Sequence, residues 1–423
     1  MSEAGGAGRR HQAEIYFAGV RGARPRVPAD PGRLEEAART AMSAEAFAYV
    51  AGGAGLESTM EANRQAFERW RIVPRMLRDV SSRDTSVDVF GRKLPTPFLL
   101  APIGVLELAH READLAVARA AAAEGVPMIF SSQASVSMEG CTEAMGSAPR
   151  WFQLYWSTSN ELVESFVRRA ERCGCEAIVV TLDTTMAGWR IRDLDLGYLP
   201  FLRGKGIAQY TSDPVFQRMI DEAGKEPGSG RPTLAALKTL AELARSYPGP
   251  FLANLRSPRP RAAVRTFLTV YSRPSLSWDD LPFLRGLTRL PIVLKGIQHP
   301  DDARRAVEAG VDGIVVSTHG GRQVDGAIGS LDALPAVVET VGERIPILLD
   351  SGVRGGADVF KALALGASAV LLGRPYVYGL AAAGQEGVRA VIRNFIADFD
   401  LTMGLAGCAS LAEITGESLV RVP

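Results

Sequence analysis

The stretch Gly313 to Gln323, GIVVSTHGGRQ, sets a histidine and an arginine three residues apart on a glycine-loosened turn that ends an apolar run. A neutral imidazole accepts protons near pH 7, and a guanidinium offers a fork of donors to a carboxylate or phosphate. His319 and Arg322 therefore suit a site that binds an anion and takes a proton from it. Gly313, Ile314, Val315 and Val316 read as a buried parallel strand, while Gly320 and Gly321 let backbone approach a ligand closely. A short His-Gly-Gly cluster also occurs in plain strand-to-helix turns, so its meaning depends on what stands beside it.

Eight apolar runs that stop at small or polar residues supply that context: Phe98 to Gly104, Pro127 to Gln133, Trp151 to Trp156, Ala177 to Thr184, Pro291 to Ile297, Gly313 to His319, Pro346 to Gly352 and Ala369 to Arg374. Helical segments lie between them, such as Pro300 to Ala309, with Pro in the first turn, early Asp and Gly310 after the end. Strand then helix, repeated, predicts an α/β fold of the (β/α)₈ TIM barrel type. An open doubly wound sheet would want Gly-x-Gly-x-x-Gly after its first strand, and FLLAPIGVLELAH has none.

In such a barrel the chemistry sits at the C-terminal strand ends. There stand Pro102 and Gly104, Ser131, Gln153 and Tyr155, Thr181 and Asp183, Lys295, Ser317 to Arg322, Asp350 to Arg354, and Gly373 with Arg374. The last two groups follow strands 7 and 8, the usual phosphate cradle, and offer glycine amides with Arg354 and Arg374. A phosphate-bearing ligand is the expectation; the plainer alternative is two arginines neutralising local carboxylates.

Residues 1–35, rich in Gly, Ala, Arg and Pro, are expected to form a mobile arm, with residues 36–423 as one barrel domain. A helical pattern runs from Pro31 to Gly53, carrying Tyr49 near its end, and a second helix is predicted over Ser58 to Phe67. The interval from about 190 to 290 is too long for an ordinary connection, so a lid over the active face is expected. Basic residues outnumber acidic ones there, with Pro/Gly-rich pieces at Lys225 to Pro232 and Tyr247 to Pro250. This charge suits funnelling of an anionic substrate.

A net charge of +1 argues against a general nucleic-acid partner. Cys141, Cys173, Cys175 and Cys408 have neither zinc-ribbon nor CxxC spacing and read as idle thiols of a reducing compartment, with no metal expected. No signal peptide or apolar run of about 18 residues is present, so a cytoplasmic protein without a membrane partner is expected.

STHGGRQ, DSGVRGGADVFKALALGA, LGRP, LKGIQHPDDARRAVEAG and the Tyr49/GGA segment together resemble the FMN-dependent 2-hydroxy acid oxidases and dehydrogenases, from about Ala44 to Ile414. Within that family, TLDTTMAGWRIRDLDLGYLPFL followed by QYTSDPVFQ looks most like lactate 2-monooxygenase. The resemblance implies FMN contacts at Ala101, Pro102, Ile103, Ser131, Gln153, Thr181, Lys295, Ser317, Asp350, Ser351, Gly352, Val353, Arg354, Gly373 and Arg374. It implies substrate contacts at Tyr49, Tyr155, Arg190, His319 and Arg322. Thr318 replaces the family's usual Asn, and Gln133 stands where glycolate oxidase has an aromatic side chain.

The implied reaction oxidises a lactate-like L-2-hydroxy acid to the 2-keto acid, with dioxygen as acceptor and a homo-oligomer expected. His11, His110 and His299 lie in the arm or at helix starts, leaving His319 as the base, with Asp183 orienting it and Lys295 stabilising the reduced flavin. Coupled decarboxylation, another substrate or another acceptor stay open. An FMN-dependent isomerase or a non-catalytic flavin-binding protein are the rivals, and neither needs the paired arginines.

Overall fold

Along each of eight short strands the side chains alternate between two apolar environments, as the period-two geometry of a strand requires. In the computed structural model, which describes residues 6–223 and 233–422, these strands are β1 Phe98–Leu100, β2 Met128–Phe130, β3 Arg150–Leu154, β4 Ile178–Thr181, β5 Ile292–Ile297, β6 Gly313–Val316, β7 Ile347–Leu349 and β8 Ala369–Leu372. They pair in parallel in chain order and close on themselves as an eight-stranded barrel. Leu99, Ile129, Val179, Val293, Val315, Leu348 and Leu371 belong to the inner apolar cluster. Phe98, Leu100, Phe130, Val180, Leu294, Ile314, Leu349 and Leu372 belong to a second cluster with the surrounding helices. A hairpin, Val87–Val89 with Arg92–Leu94, plugs the N-terminal end, where Phe90 meets Trp151 at 5.4 Å between ring centroids.

The helical pattern at 31–53 is broken into two helices, Pro31–Ala41 and Ala44–Ala51. The break falls at Ser43, whose hydroxyl accepts the Ala46 amide at 3.2 Å and so caps the second helix. The helix over Ser58–Glu68 forms as expected.

The arm expected to be mobile over residues 1–35 instead contains a helix, Gly6–Val20, lying along the long C-terminal helix Arg374–Leu405. Its anchor is polar rather than amphipathic, which is why no apolar period betrays it. The Gly8 amide donates to Asp400 at 2.8 Å, and His11 shares a 2.9 Å hydrogen bond with Asn394. Gly8 permits this approach, because a Cβ there would stand 2.5 Å from the Ala397 carbonyl oxygen.

Residues 190–290 form a series of short helices from Ile191–Asp195 to Leu281–Leu287, and the Pro/Gly-rich piece at 225–232 lies outside the described residues. Arg169, buried on the helix after β3, ties this excursion down by donating to the Gln209 carbonyl at 2.8 Å and pairing with Asp213 at 3.0 Å. The four cysteines are buried and unpaired by disulfides. No described helix is long and apolar enough to cross a membrane.

Asp400 accepts from Gly8 and pairs with Arg83 at 2.7 Å, and both side chains of the pair are buried. Asp400→Ala should therefore cost about 3–5 kcal/mol, the usual penalty for breaking a buried pair, read as a lower denaturation midpoint. A midpoint equal to wild type would mean that this anchor is dispensable.

Candidate active site

The C-terminal strand ends converge on one cleft, about 1010 Å³ when counted to its open mouth. Its walls include Tyr49, Pro102, Gln153, Tyr155, Lys295, His319, Arg322, Arg354 and Arg374. Ala101, Ile103, Thr181, Arg190, Asp350, Ser351, Gly352, Val353 and Gly373 also face it. Ser131, Ser317 and Asp183 stand one step behind the wall. Ser131 donates to Gln153 at 3.0 Å, Ser317 accepts from Lys295 at 2.8 Å, and Asp183 bonds His319.

The turn after β6 fixes the imidazole. His319 adopts a left-handed φ of 55°, uncommon for a residue with a Cβ but less so for histidine. Its amide donates to Ser317 Oγ at 3.0 Å, and the next amide, Gly320, donates to Ser351 Oγ at 2.9 Å. Thr318, the departure from the usual Asn, spends its Oγ accepting from Asn63 at 2.8 Å and from the Gly321 amide at 3.2 Å. The substitution thus keeps the turn closed through a side chain that sequence reasoning did not single out.

His319 Nδ1 lies 2.8 Å from Asp183 Oδ1. A carboxylate on Nδ1 fixes the hydrogen there and leaves Nε2 with a lone pair for the cleft. Burial depresses the His319 pKa; Asp183 opposes this, Lys295 and Arg190 reinforce it, and the balance lies below the ordinary histidine value. Burial would raise Asp183, but the His319 and Lys295 charges outweigh it and keep the carboxylate ionised. Asp183 fits against β5 because Gly296, at φ 109°, has no Cβ; one placed there would lie 3.0 Å from Asp183 Cβ.

Lys295 pairs with Asp350 at 3.0 Å. Burial alone would lower its pKa, yet Asp350 and Asp183 more than compensate, so the ammonium stays charged. Tyr155 is pushed up to about 12 by burial and remains a hydrogen-bond donor.

Arg190 and Arg322 flank the Tyr49 ring, with guanidinium carbons 5.9 and 4.9 Å from its centroid. Arg322 Nη1 donates to the carbonyls of Tyr49 and Gly52, the latter at 2.8 Å, at the C-terminal end of the Ala44–Ala51 helix. The negative end of that helix holds the cation. Its Nε and Nη2 edge has no hydrogen bond among the described residues. Burial, with Arg190 close by, lowers Arg322 to about 9.

At the phosphate end, burial lowers both Arg354 and Arg374; each also sits among further cations, Arg374 beside Arg354 and Arg192 beside Arg374. Buried like charges of this kind call for an anion. Gly352, at φ 89°, brings backbone where a Cβ would meet the Asn63 carbonyl oxygen at 2.8 Å. Arg374 also donates to the Val50, Gly52 and Gly320 carbonyls, joining the phosphate end to the Tyr49 helix. A cationic, glycine-lined end, an apolar wall of Ile103, Leu371 and Val377, and a charged lysine fit FMN, with its dianionic phosphate and planar polar ring.

The family model for FMN-dependent dehydrogenases matches residues 38–421. The chain is 43% identical over 413 residues to an FMN-dependent alpha-hydroxy acid dehydrogenase of Penicillium citrinum, covering 97% of this chain and 96% of the relative. It is also 43% identical over 388 residues to an L-lactate oxidase of Lysinibacillus sphaericus, covering 92% of each. Among solved structures, mandelate oxidase with (S)-4-hydroxymandelic acid aligns at a TM-score of 0.77 and 38% identity, covering 93% of this chain and 99% of that one. Barrel, cleft and sequence agree, and the chain belongs to the FMN-dependent dehydrogenase family.

Proposed function

We propose that this protein oxidises a small L-2-hydroxy acid, lactate or a close analogue, to the 2-keto acid and passes the electrons to dioxygen. The observation that carries the proposal is the His319–Asp183 pair at 2.8 Å facing the same cleft as Arg190, Arg322 and Lys295. Relatives named L-lactate oxidase and 4-hydroxymandelate oxidase support the reaction class.

The substrate carboxylate lies against Arg190 and the open edge of Arg322, and Tyr49 and Tyr155 donate to its oxygens. His319 Nε2 takes the hydroxyl proton, and Asp183 stabilises the imidazolium that results. When bound by the cofactor set named above, FMN would supply a two-electron acceptor for the α-hydrogen, which leaves the α-carbon with its bonding pair. Lys295 supplies fixed positive charge beside that acceptor. Dioxygen would recover that hydrogen and electron pair together with the proton on His319, giving hydrogen peroxide and restoring the neutral imidazole.

A second reading, in which the keto acid is retained and decarboxylated in place, is favoured by one feature. The 190–290 excursion reaches the wall of the cleft: Arg190 lines it, and Phe201 meets Tyr49 edge-on at 6.4 Å. In that reading the excursion acts as a lid over the product.

Anaerobic mixing with L-lactate followed by air tests both. Loss of the yellow absorbance with pyruvate and peroxide as products establishes the oxidase, whereas acetate without free peroxide establishes the retained-product reading. No bleaching by any 2-hydroxy acid would defeat the proposal. His319→Ala should retain FMN while slowing bleaching by about 10²- to 10⁴-fold; reduction at the wild-type rate would remove His319 as the base.

The pH profile gives a further check. Because His319 titrates below its ordinary value in the free enzyme, kcat/KM should be level at pH 7 and fall only below about pH 6.5. Asp183 raises the His319 pKa, so Asp183→Asn should move this acid limb to lower pH while reducing the plateau. Movement to higher pH would contradict the pairing.

A further inference from the structure

Two loops supply the chemistry of the site. One, after β4, carries Asp183 and Arg190; the other, after β6, carries His319 and Arg322. The pair His319–Asp183 spans the gap between them, so their relative placement depends on what joins them.

We propose that Gln323 is the positioning residue that locks these two loops in register, setting both the carboxylate cation Arg190 and the Asp183 that orients the base. A carboxamide has two donor hydrogens and an acceptor oxygen with two lone pairs. All are directed at the β4 loop. Nε2 donates to the Asp183 carbonyl at 2.6 Å and to the Met186 carbonyl at 2.8 Å. Oε1 accepts from the Gly188 amide at 3.3 Å and from Arg190 Nη2 at 3.1 Å. Arg190 Nε completes the seam on the Arg322 carbonyl at 3.3 Å.

The seam is tight as well as polar. A Cβ on Gly188 would stand 2.5 Å from the Arg322 carbonyl oxygen and 2.8 Å from that of Gln323. Only a glycine lets the two backbones meet there, and the carboxamide then binds on both sides of it. Glutamine is the side chain that meets this demand without adding charge. A glutamate would face the Asp183 and Met186 carbonyls with oxygen instead of N–H, and a lysine would oppose Arg190. Gln323 itself does not line the cleft, so it acts through Arg190 and Asp183 rather than on substrate.

This inference rests on the proposed roles of Arg190 and Asp183, and the test keeps the two levels apart. Wild type is first assayed with L-lactate and larger 2-hydroxy acids; turnover with any of them secures the reaction. Gln323→Met, which keeps the length and removes the hydrogen bonds, is then compared as FMN-loaded enzyme. The proposal expects KM to rise roughly tenfold as Arg190 loses its anchor and kcat/KM to fall about 100-fold, the usual cost of a misplaced catalytic group. It also expects the acid limb of kcat/KM to move to lower pH, in the direction of Asp183→Asn, because His319 loses part of its carboxylate support. A residue that only stabilised the fold would lower the melting temperature and leave both KM and the pH limb in place.

Gly188→Ala wedges the same seam from the opposite backbone and should give the same pair of changes, so the test survives if Gln323→Met fails to fold. Variants that bind FMN and keep KM and the pH limb within about twofold of wild type would overturn the proposal.

Discussion

The mouth of this barrel is built around charge that is largely withdrawn from water. Lys295, Arg322, Arg354 and Arg374 are gathered with Asp183 and Asp350 at one end of an otherwise apolar cylinder. Burying an ion costs several kcal/mol unless charges and dipoles replace its hydration. Each cation is met differently. Lys295 has Asp350, Arg322 and Arg374 have the carbonyl end of a helix, and Arg354 donates to the backbone carbonyl of Val353. The cleft is left with positive excess, which suits it to a phosphate at one end and a carboxylate at the other.

That constraint explains why the Ala44–Ala51 helix matters although it lies outside the barrel. Its C-terminal carbonyls hold two arginines that follow different strands, so it fixes the distance between the phosphate end and the carboxylate end of the cleft. Tyr49 projects from the same turn between Arg190 and Arg322. Helix end, aromatic ring and guanidinium groups form one unit, and none of them could be moved alone.

Much of this was legible in the chain. The eight strands were, because each is an apolar run bounded by turn residues, and their alternation is a property of strands that sequence carries directly. Many cleft residues, such as Lys295, His319 and Arg354, followed from their place at strand ends, whereas Tyr49 and Arg190 entered only through the family resemblance. The helix at 6–20 was not legible, since it is held by Gly8 on Asp400 and His11 on Asn394, contacts nearly four hundred residues away that leave no local period. The break at Ser43 was masked by apolar spacing that continues across it, although a serine before Ala-Glu-Ala is an N-cap signal that could have been weighed more heavily. Asn63 and Gln323 show the same limit: their types are ordinary, and only the partners they meet in space, Thr318 in one case and the 183–190 loop in the other, give them a role.

The hairpin that plugs the N-terminal end of the barrel separates two kinds of selection. Phe90 and the inner layer of Leu99, Val179 and Leu348 make that end a closed apolar core, whose substitutions are felt as lost folding energy. The opposite end can then exchange loop residues with little effect on the core. A lineage with this architecture can change cleft-lining residues such as Gln133 while the plugged end supplies the thermodynamic reserve that tolerates each step.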